Sequence, residues 1–354
     1  MDIYKFIKPA IFTTDPEKAH NLAISAIKLG LHPLDTEPSS NILSQNLLNL
    51  SFKNPIGMAA GFDKNGEVPN ELLKMGFGFA EVGTVTPRPQ EGNPKPRIFR
   101  LEKEEGMINR LGFNNKGSEE VKLKLENRQK MGILGVNIGA NRDSNNMMED
   151  YIYGLKTFYK IADYITINIS SPNTPNLRKL QKKQNIQELL NLINAEKPVD
   201  CNLPILLKIS PDINQLELSD IIEAAINSKI DGLIISNTTV DKSMLDKIKN
   251  ANQDGGLSGK PLFNLSTRLL AQAYIISEGK IPLVGVGGIA NGYDAFLKIK
   301  AGASLMQLYT GMVFQGPSIA INIKKELSKL ILEEGFRSIK EIVGIDAKIG
   351  RASC

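Results

Sequence analysis

The 354-residue chain exceeds one average domain, although a single α/β barrel with an appendage accounts for its length as well as two domains do. A hydrophobic content of 42% with 23% charged residues is that of an ordinary globular protein with ample core. The net charge of +5 is modest and no concentrated Lys/Arg block occurs, which argues against nucleic acid as a partner and leaves room for anionic substrates or an anionic membrane surface.

The N-terminus carries Asp2 and Glu17 without a continuous apolar stretch, so it does not read as a secretory signal, and no run of about twenty apolar residues predicts a spanning helix. Thr14 and Glu17 stand at capping-box spacing with Pro16 in the first turn, and Gly30 offers a stop, predicting a helix between them. Ala19, Leu22, Ala23, Ala26 and Ile27 share one face of it, and Ile3, Tyr4, Phe6, Ile7, Ile11 and Phe12 precede it beside Lys5 and Lys8. The segment reads either as a helix packed on the main domain or as an apolar element meeting a membrane or a lipid-like ligand. Residues 31–50, with Pro33 and Pro38, read as a connector.

From residue 55 short β-type runs alternate with amphipathic stretches. Strands are predicted at Pro55–Ala60, Phe79–Val85, Ile133–Ile138, Tyr164–Ile169, Ile205–Ile209, Gly232–Ser236, Leu283–Val286 and Ser304–Leu308. Helices fill the gaps, as at Glu67–Met75, Ile186–Ile193, Leu216–Ala225, Phe263–Ser277 and Tyr293–Ala301. Apolar strands separated by helices mean a parallel sheet covered outside, and eight such units fit a (β/α)8 TIM barrel with an N-terminal helical extension. Inserts at 86–130 and 239–262 are expected as loops.

Active sites of such barrels sit at the carboxyl ends of the strands. Those ends carry Ala60-Gly61-Phe62-Asp63-Lys64, Gly83-Thr84, Asn137, Asn168, Lys208 and Ser236-Asn237-Thr238. The fourth runs into Ser170-Ser171-Pro172-Asn173-Thr174-Pro175-Asn176, where the prolines end the strand and polar groups are presented; alone this reads equally as a polar turn. Gly287-Gly288 after the seventh strand and Tyr309-Thr310-Gly311 after the eighth offer backbone N–H groups for a phosphate. The only histidines, His20 and His32, precede the barrel, so a Ser-His-Asp triad is not expected, and no His/Cys/carboxylate cluster suggests a metal. Cys201 and Cys354 form no metal or redox spacing, making a reducing cytosol the default. Amides, lysines and a phosphorylated ligand suit a planar anionic substrate, with a cofactor carrying the electrons.

The motifs AAGFDKNG (59–66), EVGTVTPRPQEGNPKPRIFRL (81–101), INRLGFNN (108–115), NISSPNTPNLRKLQ (168–181), SNTT (236–239), GGLSGKPL (255–262) and GVGGI (285–289) resemble those of the class 2, quinone-dependent dihydroorotate dehydrogenases, over nearly the whole chain. The resemblance implies oxidation of dihydroorotate to orotate in pyrimidine biosynthesis by an FMN enzyme whose flavin is reoxidised by ubiquinone or menaquinone. It implies FMN contacts at Ala60, Gly61, Phe62, Asp63, Lys64, Thr84, Asn137, Asn168, Lys208, Ser236, Gly259, Gly288, Tyr309 and Thr310. Dihydroorotate contacts are implied at Lys64, Asn109, Arg110, Leu111, Gly112, Phe113, Asn168, Asn173, Asn237 and Thr238. Ser171 removes the C5 proton in this scheme while hydride leaves C6 for flavin N5, and His20, Arg100 and Tyr309 line a quinone tunnel. Class 1 relatives carry a cysteine in place of Ser171; that class, using fumarate or NAD, and a flavin barrel acting on transfer RNA are the alternatives. Residues 1–45 are then expected as a quinone and membrane extension, 46–340 as the FMN barrel and 341–354 as a tail, in a monomer held peripherally on the cytoplasmic face of a bacterial inner membrane.

Overall fold

The computed structural model describes residues 3–37, 41–174, 177–198, 202–245, 248 and 250–348. Pro175, Asn176, Cys201 and Cys354 lie outside them. Eight parallel strands close into a barrel: Ile56–Met58, Phe79–Val85, Ile133–Ile138, Tyr164–Asn168, Ile205–Ile209, Gly232–Ile235, Leu283–Val286 and Leu305–Leu308, each paired with its neighbours in chain order and the last with the first. All are buried, as continuous apolar runs covered on their outer face must be. The predicted strand positions hold to within a residue or two.

The helices are α1 (Ile3–Thr13), α2 (Pro16–Lys28), α3 (Pro69–Lys74), α4 (Ser118–Glu126), α5 (Met147–Phe158), α6 (Lys183–Glu196), α7 (Gln215–Asn227), α8 (Phe263–Ile276), α9 (Gly292–Lys300), α10 (Thr310–Gln315) and α11 (Ile319–Glu333). From α3 onward they form the outer ring, with the main core between strands and helices. Two further four-residue helices, Ile339–Ile342 and Ile345–Lys348, pack on this ring too, with Ile339 and Ile342 fully buried and Lys300 paired to Asp346 at 3.3 Å.

Three expectations are corrected. The 31–50 connector contains half of an antiparallel hairpin, Gln45–Leu47 with Leu50–Phe52. Phe52 stacks edge-on against Phe79 at 5.4 Å, so the hairpin plugs the amino-terminal mouth of the barrel. The inserts are not merely loops: Ile98–Leu101, Gly106–Asn109 and Gly256–Gly259 make a three-stranded antiparallel sheet over the opposite mouth. Finally, α2 is capped by Asp15, whose carboxylate accepts from the N–H groups of Glu17 and Lys18, and not by a Thr14–Glu17 box. Glu17 is engaged elsewhere, by Arg97.

Candidate active site

A cavity opens at the carboxyl ends of the strands, beneath the three-stranded sheet. Its floor is a ladder of amides and hydroxyls. A register shift between Gly83 and Val85 leaves Thr84 without a strand partner, and its hydroxyl donates to Asn137 Oδ1 at 2.6 Å while accepting from Asn168 Nδ2 at 2.9 Å. Ser170 Oγ donates to Asn168 Oδ1 at 3.0 Å and accepts from Asn237 Nδ2 at 2.9 Å. Every amide is thereby held in one orientation.

Below the ladder sits a group that sequence reasoning missed. Glu81, wholly buried in the second strand, accepts from Asn137 Nδ2 (2.8 Å), Tyr164 OH (3.0 Å), Thr166 Oγ1 (3.1 Å) and Gln307 Nε2 (2.6 Å). Four donors compensate a carboxylate in the barrel interior. The available signal was a single charge within an otherwise apolar strand.

Two lysines face the cavity. Lys208 is buried, and Lys64 lies deep in the cavity wall; neither ammonium takes a hydrogen-bond or ion-pair partner among the described residues. Burial lowers the pKa of Lys208, opposed by Glu81. Burial also lowers that of Lys64, to about 8, with Glu17 opposing. Unpaired cations aimed into one cavity call for an anionic occupant.

The seventh and eighth strands supply the complementary feature. The N–H groups of Gly287 and Gly288 donate to nothing else among the described residues. Gly288 has φ +80°, and a Cβ there would lie 2.5 Å from Phe263 Cβ and 2.6 Å from its Cα, so only glycine fits this turn. Ser258, Gly259, Tyr309 and Thr310 complete the rim, with Thr310 Oγ1 donating to Ser258 Oγ at 2.9 Å. Free amides at a glycine turn together with buried cations are a donor set that fits a phosphorylated, anionic cofactor.

Ser171 stands at the cavity wall, 4% exposed, its oxygen accepting from the Asn173 N–H at 3.2 Å. Asn173 in turn donates to the Asn109 carbonyl at 3.2 Å, joining the fourth-strand loop to the sheet above. The cavity is lined by Ala60, Gly61, Lys64, Thr84, Asn109, Leu111, Gly112, Phe113, Asn168, Ser171, Asn173, Lys208, Ser236, Asn237, Thr238, Gly259, Gly288, Tyr309 and Thr310 among the sequence candidates.

Six other candidates do not line it. The Asp63 carboxylate caps the Glu67 and Val68 N–H groups, both at 2.8 Å. Phe62 packs edge-on against His20 and Tyr309, and Asn137 lies in the layer below. Arg110 turns outward to Gln253, Asp254 and the Pro96 carbonyl. Arg100 holds the carbonyls of Phe12 and Thr14 with its plane over the Phe12 ring, tying α1 to the sheet. His20 meets Tyr309 OH through Nδ1 at 3.3 Å, and burial, with the nearby Lys64 cation, lowers its pKa to about 3.

The family model for dihydroorotate dehydrogenase matches residues 42–331. The chain belongs to the dihydroorotate dehydrogenase family. It is 49% identical over 350 residues, 99% of its length and 100% of the relative's, to a protein of Parvibaculum lavamentivorans named dihydroorotate dehydrogenase (quinone). A protein of the same name from Brucella ovis is 50% identical over 345 residues, 96% of this chain and 94% of that one. The crystal structure of the Eimeria tenella dihydroorotate dehydrogenase in complex with ferulenol superimposes with a TM-score of 0.90 at 38% identity, covering 94% of this chain and 96% of the other.

Proposed function

We propose that the protein oxidises dihydroorotate to orotate in pyrimidine biosynthesis, with FMN as its cofactor and a quinone as the electron acceptor. The observation carrying this reading is one cavity that combines the Gly287–Gly288 turn, two unpaired lysines and Ser171 beside an amide ladder. FMN, when bound, would supply the two-electron chemistry that links the substrate to a quinone. Lys64 pairs with the substrate carboxylate, and Asn109, Asn168, Asn173 and Asn237 meet the edges of the pyrimidine ring. Lys208 stabilises negative charge gathered on the isoalloxazine edge.

Ser171 takes the proton from C5. An alcohol is a weak base, so the proton must move on to a water or a neighbouring hydroxyl. The N-terminal extension supports the quinone half of the reading. Phe6, Ile7, Leu22, Leu29, Leu31 and Leu34 are exposed on or beside α1 and α2, forming an apolar surface suited to a bilayer. No helix among the described residues is long and apolar enough to cross a membrane, which fits peripheral attachment.

Anaerobic stopped-flow tests the proposal. Dihydroorotate should bleach the yellow protein, and a short-chain quinone, but neither fumarate nor NAD, should restore the colour. Flavin-replete protein that fails to bleach refutes the substrate; recolouring by fumarate or NAD refutes the acceptor.

A further inference from the structure

Lys298 is a charged side chain that none of these roles uses. It is wholly buried in α9, and its stem runs against Gly285 of the seventh strand, where a Cβ would meet Lys298 Cδ at 3.3 Å. The ammonium donates to Ser266 Oγ at 2.8 Å and Thr267 Oγ1 at 2.9 Å, and lies 4.9 Å from the centre of the Phe263 ring. All three residues belong to the opening turns of α8.

Local electrostatics do not account for this placement. A cation at a helix N-terminus opposes the helix dipole. Lys298 pairs with no carboxylate among the described residues; Asp294, the acidic group that acts on it, directs its Oδ2 to the Ala290 N–H at 2.9 Å. Burial accordingly lowers the lysine pKa to about 7. Two neutral hydroxyls leave most of the cost of burying an ammonium uncompensated.

The same turn of α8 backs the glycine turn of the cavity. Ser266 Oγ lies 3.2 Å from the Gly287 carbonyl, to which its hydroxyl can donate, and Phe263 occupies the space a Cβ on Gly288 would need. Ammonium, hydroxyl and carbonyl thus form a chain from the interior to the rear of the turn. We propose that Lys298 is a positioning residue for the cofactor phosphate, a buried cation behind Gly287–Gly288 that strengthens the seat for a dianion without touching it. In a medium of low dielectric such a charge acts across a layer of protein and is screened little by salt. The inference rests on reading that turn as the flavin phosphate seat.

The test compares two flavins that differ by the phosphate. Flavin is removed from the full-length protein, and rebinding of FMN and of riboflavin is followed by fluorescence quenching. Wild type should bind FMN far more tightly than riboflavin. Lys298→Gln, which keeps a hydrogen-bond donor, should lose about tenfold or more in FMN affinity while riboflavin binding is unchanged, and Lys298→Arg should retain FMN. Lys298→Met carries the same expectation should the glutamine variant not accumulate. An equal loss for both flavins, or no loss of FMN affinity, overturns the role of Lys298 alone. A wild type with no preference for FMN overturns the phosphate seat itself.

Discussion

Glu17→Gln should loosen the N-terminal helices from the barrel while leaving the barrel folded. Glu17 receives Arg97 in a two-point contact, Nη2 at 2.6 Å and Nε at 3.0 Å, with side-chain exposures of only 13% and 6%. Deleting one partner of a buried pair costs about 3–5 kcal/mol. Here Arg97 Nη1 keeps the carbonyls of Glu91 and Asn93 at 2.6 and 2.8 Å. Lys95, two-thirds exposed, sits 3.5 Å from the same carboxylate and admits solvent, so about 2–3 kcal/mol is the better figure. Other ties of this segment include Tyr4 OH to the Val313 carbonyl at 2.6 Å, Lys8 to that of Phe314 at 3.0 Å, Arg100 to Phe12 and Thr14, His20 to Tyr309 OH at 3.3 Å and the exposed Lys28 to Glu67 at 3.6 Å, none of them a buried two-point ion pair. Detachment of α1 and α2 should therefore become about thirty- to a hundred-and-fiftyfold more populated. Hydrogen exchange reads this directly, as faster exchange of α2 amides with unchanged barrel strands. In kinetics, reduction by dihydroorotate should persist while quinone turnover falls. Unchanged α2 exchange, or acceleration spread evenly through the barrel, would refute the reasoning. The wild-type tether has a pH signature as well. Arg97 holds the Glu17 pKa below its ordinary 4.5, so the stabilisation is present above that value and is lost as pH falls through the lowered one.

Ser171→Ala should stay yellow and lose about 10²–10⁴-fold in flavin reduction by dihydroorotate, read under anaerobic single-turnover conditions; near-normal reduction removes Ser171 from the chemistry. Gly288→Ala forces a Cβ against Phe263 at φ +80°, and should purify with little flavin and about 1–3 kcal/mol less stability in denaturant titration. Lys64 loses its charge as pH rises through about 8, so kcat/KM for dihydroorotate should fall above that pH, and Lys64→Ala should abolish the inflection. Removing residues 1–40 should spare flavin reduction but impair quinone turnover and the response to detergent; equal loss of both half-reactions would mean the segment is needed for folding.

The barrel was legible because its strands are continuous apolar runs and its helices amphipathic, periodic signals that need no tertiary information. Gly287–Gly288 and the Ser171 loop were legible as breaks in that pattern. What escaped notice depends on distant partners. Glu17 has the spacing of a capping box, yet an arginine 80 residues away claims it, and Asp15 takes the cap. The hairpin that plugs the barrel turns at Leu48 and Asn49, both with φ near +57°, without the Asn-Gly pair that would have signalled it. The strands near residues 100, 108 and 257 are marginal alone and exist because they pair with one another. Lys298 reads as one more charge on an amphipathic helix until packing shows it facing inward.

The small sheet over the cavity has a bearing on how relatives can diverge. Asn109 stands opposite Gly256 and Ile108 opposite Leu257, while Leu257 also exchanges backbone hydrogen bonds with Thr239. The excursions after the second and sixth barrel strands are thus two halves of one roof, although about 150 residues of chain separate them. A graft that replaces one excursion alone would leave a bare β edge over Asn109 and Thr238. Chimeras meant to retarget this cavity should exchange both segments together, in register, or neither.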